Sequence, residues 1–407
     1  MIRKVEIENF MSLKDVSIEL EPLTVFIGPN GSGKSAIFKA IVTLARFING
    51  APVRGSKTGE FAVESGIVLD DMVWSGNSGL TIKFRVWFAE DKDDEPGYTL
   101  ELRKGMEGWS VTREIIHSEE THIEVDEDHP FQFPIERGPS RTYFLAPPLR
   151  ATLNYLVQPF RNDAAARPVI EPVIQLGRRF GPAWRYRPSA IEVASFAKRP
   201  EAEGKAAYVR ENGSGVAAEL QDLQGSKREV FEAIEKAVCQ LFPHIKAIGF
   251  KSDWRGVRLS FRTDRSEDLI PAPQESDGVL LATFLFWRLY TSASGYKVCL
   301  EEPENGLHPF LLADRFRVLK NFAYPKGDRP PVQLLVATHS PEFLRAVRAH
   351  PQALWKEIRL VEFNPGTGTS VDRLKYFAEA TKLIDKYLDL VHESWEPLLR
   401  DWEQSEK

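Results

Sequence analysis

The chain has 407 residues, 43% of them hydrophobic and 27% charged, with a net charge of −5; it is long enough to bury a substantial core, and its overall charge gives no ground for a polyanion or membrane-surface partner. Its two cysteines, Cys239 and Cys299, are far apart, which excludes a disulfide framework or a cysteine zinc site and predicts a reducing compartment. The N-terminus carries Glu6 and Glu8 where a signal peptide needs an apolar run, and the apolar stretch from Val279 is stopped by Arg288, too short to cross a bilayer, so a cytoplasmic chain without membrane contact is expected.

From Met1 to about Arg150 the pattern alternates apolar and polar residues, as in "LTIKFRVWF" and "YTLELRK", and predicts half-buried antiparallel strands. Within this β-rich part, residues 23–35 read "LTVFIGPNGSGKS". An apolar β-type run, Leu23 to Ile27, leads into Gly28, and the helical pattern "AIFKAIVTLARFI" follows Ser35. Gly28 to Ser35 fits G-x-x-x-x-G-K-[ST] in the strand–loop–helix setting that the motif requires. Gly28, Gly31 and Gly33 allow the backbone of Asn30, Gly31, Ser32 and Gly33 to turn its N–H groups toward phosphate oxygens, and the helix start adds its positive end. Lys34 would reach the β- and γ-phosphates, and the Ser35 hydroxyl would ligate Mg2+.

Charge is segregated further along. Residues 90–137 hold fifteen acids against five basic residues, whereas 141–199 hold ten basic residues against three acids. In "GRRFGPAWRYRPSAIEVASFAKR", Arg178, Arg179, Arg185 and Arg187 alternate with Phe180, Trp184 and Tyr186. Basic groups beside aromatics can hold phosphate backbones and stack on bases, which makes 178–199 a candidate nucleic-acid contact. The alternative is a surface loop whose arginines pair with the chain's own acidic lobe. Its prolines and glycines predict an irregular insertion. Helical patterns return in "GVAAELQDL" and "SKREVFEAIEKAVCQLF", followed by the strand pair "IKAIGFKS" and "GVRLSFRT".

Ser276, Asp277 and Gly278 precede an apolar helix and read as its cap, a position that also presents a helix N-terminus to phosphate. The run "KVCLEEPENGLHP" then ends a buried strand in Glu301 and Glu302, with Glu304 close behind. Carboxylates this close repel one another, and a cation beside them would offset that. Because Mg2+ takes oxygen ligands in a near-octahedral set, Glu301 is assigned to the metal side and Glu302 to the water that attacks the γ-phosphate. A metalloprotease built on Glu301, Glu302 and His308 lacks H-E-x-x-H. A third apolar run, "VQLLVATHSPEFL", puts Thr338, His339 and Ser340 at a strand end, where His339 would sense the γ-phosphate.

With these residues assembled, the chain resembles the stand-alone ABC-type ATPases of the SMC/RecF/OLD group. "IRKVEIENFMSLKDVSIELEPLTVFIGPNGSGKS" is similar to that group's first hairpin and Walker A, and "EEPENGLHP" to its Walker B and the following turn with Asn305 and His308. "ATHSP" resembles its His switch, and "QESDGVLLATFLFW" its signature segment; "YFLAPPLR" and "ENGSGVAAELQDL" resemble recurring segments of stand-alone members. The resemblance implies an α/β fold, an ABC-type P-loop NTPase head with a β-rich N-terminal lobe and an inserted helical lobe. It implies Mg2+ and ATP as ligands, Glu302 and His339 as catalytic residues, and Ser276, Asp277 and Gly278 on the nucleotide of a second copy. It further implies a homodimer closing over ATP that controls DNA or a partner effector in phage defence or DNA repair. The expected division is 1–150 for the Walker A lobe, 151–275 for the inserted basic and helical part, and 276–407 for signature, Walker B, His switch and C-terminal helices. The group's Q-loop glutamine is not placed, with Gln132 and Gln158 as candidates. No heptad arm separates Walker A from the signature, and the stretch after the His switch is too short for a TOPRIM nuclease, so any nuclease is expected on a separate chain. Two other functions fit the motifs, a transporter's ATP-binding subunit and a nucleotide-dependent scaffold. The gap of about 240 residues between Walker A and signature and the Glu-Glu Walker B count against the first, and Glu302 against the second.

Overall fold

The computed structural model describes residues 1–49, 69–74, 81–91, 95–135 and 141–145, then 166–191, 212–305, 318–340 and 355–373, apart from a few short gaps and with isolated residues between. The second part of the "YFLAPPLR" segment, Gln158, residues 192–199, His308 and the C-terminal helical pattern beyond 373 lie outside the described residues.

Five strands form the centre of the molecule, and the three in its middle are buried at every position. They are β3 (Leu23–Ile27), β10 (Ala183–Tyr186), β14 (Lys297–Glu301), β15 (Gln333–Thr338) and β16 (Ile358–Asn364), which pair in parallel in the order β10-β14-β15-β3-β16. β17 (Gly368–Arg373) closes the edge antiparallel to β16. A parallel sheet is covered on both faces, so its strands read as continuous apolar runs. Successive side chains go to opposite faces. Leu23, Val25, Ile27, Val298, Leu300, Leu334 and Val336 belong to one core, and Phe26, Cys299, Leu335 and Ala337 to the other.

On the face of Phe26 and Cys299 lies a six-stranded antiparallel sheet, in the order β2-β1-β4-β5-β6-β7. Its strands are β1 (Ile2–Phe10), β2 (Leu13–Glu19), β4 (Thr81–Phe88), β5 (Tyr98–Gly105), β6 (Gly108–Ser118) and β7 (Thr121–Val125). The helix α1 (Lys34–Ile48) is buried at twelve of its fifteen positions, as a helix packed between two sheets requires. It shares that core with α2 (Arg167–Phe180). The opposite face is covered by α3 (Val216–Ser226), α4 (Arg228–Leu241) and α5 (Asp277–Thr291), with a three-stranded sheet of β11 (Ile245–Asp253), β12 (Gly256–Thr263) and β13 (Ser266–Pro271). β8 (Phe131–Ile135) and β9 (Arg141–Leu145) pair as a separate hairpin.

The expected α/β architecture and β-rich N-terminal sheet are both present. The reading of the basic segment as an irregular insertion is corrected: Arg178 and Arg179 close α2, and Arg185 lies in β10 of the central sheet. Gly181 and Pro182 mark only the turn between them, because four residues suffice for a strand that pairs along its whole length with β14.

Gln333 joins the two large sheets. Its amide donates to the Ile2 carbonyl at 2.7 Å and its carbonyl accepts the Ile2 N–H at 3.1 Å, at 1% exposure. Gln333→Leu strips both partners from a buried backbone unit and is expected to cost about 2–4 kcal/mol, read from urea unfolding.

Candidate functional site

In a parallel sheet the carboxyl ends of neighbouring strands finish at one edge, and ligands gather there. Thr338 of β15 is level with Ile27 of β3, and Glu301 of β14 with Ala337 of β15. Segments some 300 residues apart in the chain therefore deliver the Gly28–Ser35 loop, the two acids and the histidine to one place.

The loop leaves β3 at Gly28, where a Cβ would stand 2.1 Å from the Val361 carbonyl oxygen of β16. It enters α1 through Gly33, which adopts φ 106, while Pro29, Asn30, Gly31 and Ser35 face solvent. Gly33 caps the helix without a side-chain bond, so the helix start offers its N–H groups to an anion. Lys34 lies back across the loop at 7% exposure, donating to the Gly28 carbonyl at 2.7 Å and the Pro29 carbonyl at 2.8 Å. Burial pulls its pKa down to about 8, against the opposing pull of Glu302, Glu304 and Glu301.

Each of those three acids is handled differently. Glu301 accepts the Ser35 hydroxyl at 3.2 Å on Oε2, and the Arg185 guanidinium spans both of its oxygens, with Nη2 2.9 Å from Oε2 and Nε on Oε1. Glu302 adopts φ 46, a left-handed conformation unusual for a residue with a Cβ. Its N–H is held by the Ala337 carbonyl at 2.8 Å, and its Oε2 accepts the Asn305 amide at 2.7 Å. Its Oε1 lies 3.0 Å from His339 Nδ1, without the geometry of a hydrogen bond. Glu304 is 9% exposed and accepts the Thr338 hydroxyl at 2.5 Å on Oε1, while its Oε2 has no partner among the described residues. Burial drives its pKa up to about 7, although the Thr338 bond works the other way.

The donor set suits Mg2+. Two oxygens bound as neighbours in an octahedron at about 2.1 Å lie about 3 Å apart, and the Ser35 and Glu301 oxygens are 3.2 Å apart. Lys34, Ser35, Glu301, Glu302 and His339 thus come together as the sequence motifs suggest.

Ser276 stands at the N-cap position of α5 with its hydroxyl uncommitted to the helix, and Ser276 and Asp277 are exposed. Among the described residues, no hydrogen bond or ion pair joins Ser276, Asp277 or Gly278 to the loop or to the acids.

Arg185 and Glu304 carry roles that the sequence reading did not assign. The alternation "AWRY" is the signal that could have placed Arg185 on one face of a strand, with Trp184 and Tyr186 on the other. Three of the four grouped arginines meet acids of their own chain: Arg178 meets Glu171, Arg179 meets Asp91 and Arg185 meets Glu301. Of these acids only Asp91 belongs to the acidic 90–137 stretch, so the pairing expected with that lobe is seen for Arg179 alone. Among the described residues no helix is long and apolar enough to cross a membrane.

Glu304 makes stability depend on pH. Between its ordinary value of 4.5 and about 7, the folded chain holds a proton that the unfolded chain releases, so stability falls as pH rises through that window. Glu114, buried and raised to about 7 in the antiparallel sheet, acts with the same sign. Glu304→Gln mimics the protonated form. It is expected to match the wild type near pH 4.5 and to exceed it by about 1–3 kcal/mol at pH 8, measured by denaturant unfolding at both pH values.

Comparison with known proteins gives three findings. Residues 23–345 match the model of AAA_21, a family of AAA domains whose description also names the AbiEii toxin and type IV toxin–antitoxin systems. Over 41 residues, 10% of this chain, the sequence is 44% identical to the OLD nuclease of Thermus scotoductus, of whose length that stretch is 8%. Among solved structures, the chain is similar to an Smc head bound to the C-winged helix domain of ScpA, with 14% identity, a TM-score of 0.48 and coverage of 91% of this chain and 96% of that one. It is also similar to the SMC head of Thermotoga maritima, with 14% identity, a TM-score of 0.38 and coverage of 92% and 99%.

Proposed function

The chain belongs to the AAA-domain family AAA_21, and on that premise we propose that it is a Mg2+-dependent ATPase that works as a dimer closed over nucleotide. The observation that carries this reading is the convergence of Lys34, Ser35, Glu301, Glu302 and His339 at one edge of the central sheet.

In this mechanism the loop N–H groups and the start of α1 bind the phosphates, and Lys34 turns from the Gly28 and Pro29 carbonyls to the β- and γ-phosphates. Ser35 and Glu301 would hold Mg2+, which neutralises phosphate charge when bound. Glu302, pinned by Asn305 and the Ala337 carbonyl, accepts the proton of the attacking water. His339 touches Glu302 Oε1 and orients that carboxylate toward the γ-phosphate. These groups lie on one side of the phosphates only. The exposed N-terminus of α5, with Ser276, Asp277 and Gly278, supplies the other side from a second copy, and two-fold symmetry closes two equivalent sites. Opening after hydrolysis would act on DNA or on an effector chain, a separate nuclease among them. The toxin–antitoxin wording of the family's description and the short identity with an OLD nuclease support a setting in phage defence or DNA repair.

Lys34→Ala is expected to abolish binding of a fluorescent ATP analogue. Glu302→Gln should retain binding, lower turnover by about 100-fold or more, and accumulate as a closed dimer with ATP in light scattering. Glu302→Gln turning over at the wild-type rate would show that another group takes the proton. The shared site has a sharper test in mixtures of Lys34→Ala and Ser276→Arg chains. Each is inactive alone, and together they should regain one working site per heterodimer; heterodimers without activity would refute the shared site.

A further inference from the structure

We propose that Arg185 is a positioning residue of the nucleotide site, which covers the Glu301 carboxylate so that a divalent cation enters there only together with nucleotide phosphates. The inference rests on reading Ser35 and Glu301 as the metal side of that site.

The sheet pleat brings the pair together. Arg185 is level with Cys299 on the neighbouring strand, and Cys299 and Glu301 are two residues apart, so all three side chains project to the face on which α1 and Ser35 lie. Trp184 and Tyr186 project to the other face. There Trp184 packs on Phe284 and Trp287 of α5, and the Tyr186 hydroxyl donates to the Leu281 carbonyl at 3.0 Å. The guanidinium is therefore carried by a strand anchored on its opposite side, rather than by a loop free to drift.

Its contact with Glu301 is bidentate, and both side chains are largely buried, at 18% exposure for the arginine and 7% for the glutamate. A planar guanidinium is matched to a carboxylate in this way and a lysine ammonium is not. With Ser35 also on Oε2, the two oxygens of Glu301 already have three hydrogen-bond donors. A divalent cation arriving alone has to displace the guanidinium from a partly buried carboxylate, and gains few protein oxygens in return. With nucleotide, phosphate oxygens complete the ligand shell and give the guanidinium another anion to face. The arrangement thus makes occupation of the metal position conditional on nucleotide, and would discourage a cation-only state.

The test is Mn2+ binding, read by the loss of the free-ion electron paramagnetic resonance signal, with and without ATP, on the full chain. The wild type is expected to take up Mn2+ tightly only with ATP. Arg185→Gln uncovers Glu301 and should raise nucleotide-free Mn2+ affinity by about tenfold. Arg185→Lys, whose ammonium cannot span both oxygens, should raise it by about threefold, and provides the readout if the glutamine variant does not fold by circular dichroism. Glu301→Gln should remove the gain when combined with either variant. Wild-type uptake of Mn2+·ATP with no gain in the folded variants overturns this inference alone. A wild-type chain that binds no ATP analogue overturns the reading of the site, and the inference with it.

Discussion

Three carboxylates and one ammonium share a small, partly buried volume at the end of the central sheet, and the protein has to accommodate their repulsion before any nucleotide arrives. Three different devices do so. Glu301 is matched by a guanidinium from the adjoining strand, Glu302 is left partly exposed beside His339 and Asn305, and Glu304 is buried where its proton is retained more strongly. An isolated charge in such a place is costly, and neutralisation by proton or by partner is the usual outcome. Lys34, whose own charge is weakened by burial, holds the Gly28 and Pro29 carbonyls.

Those devices depend on strand register. A slip of one residue in β10 would send Arg185 to the α5 face and bring Trp184 or Tyr186 toward Glu301, because side chains alternate. The aromatic packing of Trp184 and Tyr186 on α5 therefore fixes an electrostatic contact on the other side of the sheet. The two cores also act together. α1 is held between the antiparallel and central sheets, and this sets Ser35 against Glu301, while Gln333 links the two sheets at their opposite end.

The turn after β14 connects the acid pair to the histidine. Glu304 accepts from Thr338, whose hydroxyl in turn accepts the Ser340 N–H at 3.0 Å, so the backbone on both sides of His339 is tied to the turn after β14. Glu302 holds a left-handed backbone conformation within this arrangement. Strained positions of this kind persist where their surroundings over-determine them, and here a backbone bond to Ala337 and two side-chain contacts do so.

Local chemistry made much of this visible in the sequence alone. The spacing Gly28 to Ser35, the acids closing an apolar run at Glu301 and the Thr338-His339-Ser340 turn each depend on neighbours within a few residues, so they could be read without coordinates. The α/β class followed from the same runs, since a strand buried on both faces is apolar at every position. Arg185 was not legible in this way. Its glycine and proline neighbours suggested an irregular segment, and its partner lies 116 residues along the chain. Only the parallel pairing of β10 with β14 and the phase of the pleat bring the guanidinium onto Glu301. The role of Glu304 was hidden for a related reason, because whether a carboxyl keeps its proton depends on burial and facing groups, which are properties of the packed chain.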